Sequence, residues 1–113
     1  MIDVITLPAR EFVFNEDKHI GVFLKSASGA SLSAVTAQVV IYDSAGTIVL
    51  AATAMNMSGT TRRKATWFLT TGSSQTITAA GTYRALFLVS HVVDSQTEIT
   101  IYQQQIYVRT YPF

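Results

Sequence analysis

The chain has 113 residues, eight basic and seven acidic side chains, a net charge of +1, and no cysteine. That balance argues against a nucleic-acid binder or a protein drawn to an anionic membrane, and the missing cysteines exclude a disulfide framework and a thiolate metal site. Only 13% of residues are charged while 49% are hydrophobic, against roughly a quarter charged in ordinary globular chains, so apolar area outside the core is expected of so small a protein.

The length fits one domain spanning residues 1–113. Pro8 interrupts an N-terminal apolar segment, and Glu11 to Phe14 open a first core strand. Ile20, Val22 and Leu24 alternate in a second strand that ends in the small polar run from Ser26 to Ser33. Residues 35–42 form a third, rich in β-branched side chains, and Asp43-Ser44-Ala45-Gly46 follows as a tight turn. A fourth strand covers about 47–54, with a turn at Ser58 to Thr61.

Residues 64–70 turn Ala65, Trp67 and Leu69 inward, and Thr70 to Ala80 is a loop with a helical turn near Ile77. Gly81 begins the most apolar segment, through Val89, and the last strand runs from about Glu98 to Arg109. No stretch keeps a 3.6-residue period over a helix's length. Short strands at this spacing predict an all-β fold, an immunoglobulin-like antiparallel β-sandwich of seven to eight strands, with a β-barrel as the alternative.

Catalytic and metal-binding patterns are missing. His19 and His91 belong to no spaced ligand set. Ser90, His91 and Asp94 are near in sequence, but a triad needs convergent side chains and an oxyanion hole. Glu16 and Asp17 are neighbours on an extended chain and so point to opposite faces, which is wrong for acid–base work on one bond. The six glycines sit singly, without a phosphate-cradling loop. The expectation is a non-enzyme with no cofactor and no metal. Arg62-Arg63-Lys64 is the single charge cluster, read as a solvated strand edge or a contact to an anionic group. Tyr83, Tyr102, Tyr107 and Tyr111 are candidates to stack on sugars, although tyrosine is also a favoured strand residue.

Two strands are apolar on both faces. Tyr83, Ala85, Phe87 and Val89 share one face of their strand, and Arg84, Leu86 and Leu88 share the other; Val39 and Ile41 likewise oppose Val40 and Tyr42. A strand in a two-sheet sandwich buries one face and wets the other, so the second set calls for a cover, from this chain or from another subunit. Val40, Tyr42, Leu86 and Leu88 are the expected contact surface, with Arg84 and Arg62 to Lys64 as its polar rim. Tyr111 and Phe113 form an aromatic tail that docks on a neighbour or closes the domain.

Three stretches carry a family resemblance: Glu11 to Leu24, with F-x-F, a polar turn and an alternating strand; Val39 to Gly46, a strand entering a D-x-x-G turn; and Gly81 to Val89, G-x-Y-x-A-x-F-x-V. Together they resemble small immunoglobulin-like modules of bacteriophage virion proteins, in particular the N-terminal domain of phage baseplate upper proteins. The resemblance implies a structural component of a tail, baseplate, neck or capsid surface, acting as a homo-oligomer and against other virion proteins. It also implies assembly in a host cytoplasm, and Met1-Ile2-Asp3-Val4 lacks the basic and apolar regions of a signal peptide. No apolar run is long enough to span a membrane. The alternative is a receptor- or glycan-binding immunoglobulin-like module of a phage or bacterial surface, with a host-surface glycan or receptor as its partner.

Overall fold

A computed structural model describes residues 2–6, 10–26, 29, 31–93 and 95–110, with residues 2–6 and 93 as backbone only. Its elements are β1 (Ile2–Thr6), β2 (Arg10–Val13), β3 (Asp17–Ser26), β4 (Thr36–Asp43), β5 (Ile48–Ala54), β6 (Asn56–Ser58), β7 (Arg62–Thr70), β8 (Gly81–Val93) and β9 (Gln96–Arg109). They form a four-stranded sheet in the order β1-β3-β7-β6 and a five-stranded sheet in the order β2-β9-β8-β4-β5. The described residues include no helix, hence none long and apolar enough to cross a membrane.

This strand order is that of an immunoglobulin-like sandwich whose larger sheet carries one extra edge strand, β5. The first strand is divided between the sheets: β1 pairs antiparallel with β3, whereas β2 crosses over and pairs parallel with β9. That division of the first strand into two, and the short β6, bring the described strands to nine. β6 is only three residues long and directly precedes the turn at Gly59, too short to show alternation in the sequence.

Alternation decides which side chains meet between the sheets. Phe12, Ile20, Val22 and Leu24 are buried against Val39, Ile41, Ala85, Phe87 and Val89, with Ile106 and Val108 from β9. Trp67 packs half-buried against this cluster from β7, in register with Ile20. The hydroxyl of Tyr83, at the start of β8, donates to the Ala79 carbonyl oxygen at 2.7 Å. A tyrosine tethered to the backbone just upstream at this corner is a hallmark of the fold. Burial, and then the nearby Asp43 charge, push its phenol above the usual value of 10.0.

The expected Asp43–Gly46 turn is present. Asp43 Oδ1 accepts from the amides of Ala45 and Thr47, both at 2.9 Å, and Gly46 takes φ +85°. The segment around Ile77 differs from expectation. In place of a helical turn, Ile77 makes a parallel bridge with Thr71 and exchanges backbone bonds with Thr70 and Gly72, which buries its side chain fully. One apolar residue among polar neighbours gains more by plugging the end of the sandwich than by joining a helix too short to persist.

Candidate interaction surface

The register of the five-stranded sheet assembles an apolar stripe on its solvent side. Val40 pairs with Leu86, Leu86 with Gln103, Leu88 with Ile101, and Ser90 with Ile99. Partners in register share a face, so Leu86, Leu88, Ile99 and Ile101 are contiguous. Ile99 and Ile101 are 58% and 57% exposed, and Val92 on the same face is 66% exposed. Leu86 and Leu88 are half-buried beside them. Val40 is only 7% exposed yet stands apart from the core cluster, so it forms the floor of the stripe. Tyr42 lies at one end, half-buried, with the Arg84 guanidinium 5.8 Å from its ring centre.

Ile99 and Ile101 were missed in the sequence because each alternates with a polar residue, as an ordinary half-exposed strand does. The register alone shows that their face is the one Leu86 and Leu88 occupy. The stripe continues towards Ile48, which pairs with Tyr42 and is exposed. Ile48 begins β5, an edge strand reading Ile-Val-Leu-Ala-Ala-Thr-Ala with no charge, proline or glycine. Natural edge strands usually carry such guards against pairing with another chain.

The hairpin of β8 and β9 reaches past the sheet. β4 pairs with β8 as far as Ser90, whereas β8 and β9 stay paired to Val93 and Gln96 and turn with Ser95 at φ +64°. The overhang is therefore a two-stranded ribbon, an arrangement of marginal stability alone in water. Its cross-strand His91–Glu98 pair sits at 3.8 Å.

Other residues singled out in the sequence are dispersed or occupied. Arg62 and Lys64 lie on the outer face of the four-stranded sheet, so they cannot rim the stripe. Arg63 turns the other way and donates to the carbonyl oxygens of Val35 at 3.1 Å and Gly59 at 2.7 Å. Tyr83 is buried, Tyr102 packs against the core and Tyr107 is exposed, so these three form no sugar-stacking cluster at one end. Tyr111, Phe113 and Asp94 lie outside the described residues. Ser90 and His91 project to opposite sides of β8 and so form no catalytic pair.

Glu16 and Asp17 hold the turn between β2 and β3. Glu16 Oε1 accepts from the Val13 amide at 2.6 Å, which, with Lys18 at 3.3 Å, keeps its carboxyl below the ordinary value of 4.5. Asp17 accepts from the amide of Thr71, whose buried hydroxyl donates to the Glu16 carbonyl oxygen at 2.7 Å. No group of three or more histidines and acids able to hold a metal occurs among the described residues.

No family model matches the chain. No curated protein matches it either. Among solved structures, the Lin-41 filamin domain is 14% identical with a TM-score of 0.46, covering 96% of this chain and 91% of its own. The CooA pilin subunit from enterotoxigenic Escherichia coli is 12% identical with a TM-score of 0.48, covering 98% of this chain and 99% of its own. The immunoglobulin-like assignment stands on the strand order and the Tyr83 corner described above.

Proposed function

We propose that this protein is a non-enzymatic assembly module whose outer five-stranded face packs against further copies of itself. The observation that carries this is the apolar stripe from Tyr42 through Leu86 and Leu88 to Ile99 and Ile101. Leaving one such side chain in water rather than burying it forgoes about 1.5–3 kcal/mol, and large contiguous patches of this kind mark interaction sites. The uncharged β5 edge beside it leaves no barrier to a neighbouring chain. The finer setting we infer is a phage particle, supported by the three motifs that resemble virion modules; mass spectrometry of purified particles tests it.

Light scattering over a concentration series tests the assembly itself. The wild-type chain is expected to associate, and the double variant Ile99→Lys/Ile101→Lys to remain monomeric with an unchanged circular dichroism spectrum. A wild-type chain that stays monomeric up to millimolar concentration would refute the reading.

A further inference from the structure

The opposite face of the molecule is built from different chemistry. On the outer side of β3 the residues are His19, Gly21, Phe23 and Lys25, and their register partners on β7 are Phe68, Thr66, Lys64 and Arg62. One end is aromatic: the His19 and Phe68 rings lie 4.9 Å apart and tilted by 57°. The other end is cationic, with Lys25, Arg62 and Lys64 exposed around Phe23. The backbone register of β1 sets Asp3 opposite Lys25.

Between these ends the face is interrupted at Gly21. A Cβ there would collide with the Ala65 carbonyl oxygen, so the position admits no side chain. The result is an open depression of about 370 Å³ lined by His19, Gly21, Phe23, Ser58, Lys64 and Thr66. A second depression of about 430 Å³ shares Phe23 and Lys64 with it and runs on to Lys25 and Arg62. Phe23 and Phe68 flank this run with 39% and 48% of their surface exposed. From His19 to Phe23 the strand advances about 13 Å at roughly 3.3 Å per residue, room for one six-membered sugar ring between the aromatic groups.

We propose that this groove binds an acidic polysaccharide, with a pyranose ring over Gly21 and its carboxylate or sulfate group among Lys25, Lys64 and Arg62. The apolar face of a pyranose packs on aromatic rings by dispersion, and the Ser58 and Thr66 hydroxyls suit its hydroxyl groups. The guanidinium and ammonium groups supply charge-assisted bonds to the anion. The depression along Glu11 and Arg109 offers no equivalent, because its cations are engaged in the Arg109–Glu11 and Lys18–Glu16 pairs. A nucleic acid is disfavoured because the rings are separated by a gap rather than forming a continuous platform.

The inference is independent of the assembly reading, since it uses the other sheet. Calorimetry of the full chain with a hexagalacturonate, a heparin-derived hexasaccharide and neutral maltohexaose tests it at about physiological salt. One or both acidic oligosaccharides are expected to bind at least tenfold more tightly than the neutral one. Arg62→Gln/Lys64→Gln should lower that affinity tenfold or more. Phe23→Ala should also lower it about tenfold although no charge is lost, and Phe68→Ala serves as a second ring deletion if the first melts early. Absence of binding by both acidic oligosaccharides at millimolar concentration overturns the proposal. So does an affinity untouched by either ring deletion in a folded variant, which marks simple ion attraction, or tighter binding of a single-stranded RNA hexamer.

Discussion

The two outer faces of the sandwich obey the same alternation but spend it differently. On β8 the positions facing away from the core include Arg84, Leu86 and Leu88, and β9 adds Ile99 and Ile101 beside Gln103 and Gln105, so the five-stranded face carries an apolar stripe and little charge. On β3 and β7 the outward positions are His19, Phe23, Lys25, Lys64 and Arg62 around a gap at Gly21, so the four-stranded face is indented and positive. A flat apolar face suits a protein partner that excludes water over an area. An indented cationic one suits a small polar ligand that needs directional contacts. The contrast teaches that a low total charge can hide a local concentration: three of the chain's eight basic residues stand on one short stretch of sheet.

Neighbouring positions on β8 sharpen this contrast most strongly. Phe87→Ala empties the core and is expected to cost about 3–5 kcal/mol in chemical denaturation. Leu86→Ala, one residue away on the outer face, should cost no more than about 1 kcal/mol in dilute solution, where no second copy covers it. Equal losses would show that the five-stranded face is roofed by its own chain.

On the other sheet, Gly21→Ala forces a Cβ against the Ala65 carbonyl and is expected to cost about 1–3 kcal/mol, with a lower melting temperature. A neutral effect would mean that β3 and β7 can part at that point, and the gap would not be a fixed feature of the four-stranded face. Tyr83→Phe removes the bond to the Ala79 carbonyl at the start of β8. It should cost about 1 kcal/mol in the same assay, and should leave both faces unaltered.

The smallest effect concerns the joint between the sheets, where Glu16 caps the turn from β2 into β3. Its folded pKa lies below the ordinary value of 4.5, chiefly through the Val13 amide. The contribution is thus present above that pH and lost as the pH falls through the lowered folded value. Thermal melts from pH 6 to pH 2 should show a modest acid-side decline that Glu16→Gln flattens.

The sandwich was legible because Val22-x-Leu24, Val39-x-Ile41 and Tyr83-x-Ala85-x-Phe87-x-Val89 repeat with period two, and these are the residues found between the sheets. The double-sided character of β8 was legible for the same reason. Pairing between distant strands was not. Which face Ile99 and Ile101 share depends on the register of β8 with β9, and Gly21 reads as an ordinary strand residue until β7 is laid beside it. The run Arg62-Arg63-Lys64 looked like one cluster, but alternation sends Arg63 towards the carbonyls of Val35 and Gly59 and leaves its neighbours outside. Tyr83 looked like a sugar platform because a core tyrosine with a satisfied hydroxyl and an exposed one are the same letter.

The crossover of β2 has a mechanical consequence. β2 and β9 run side by side in the same direction, from Arg10 beside Ile106 to Val13 beside Arg109. Tension applied ahead of β2 and behind β9 draws the two strands lengthwise in opposite senses, so their hydrogen bonds share the load together instead of opening one after another. A molecule pulled along that line resists as a lap joint does, and yields more readily when peeled from the β5 side.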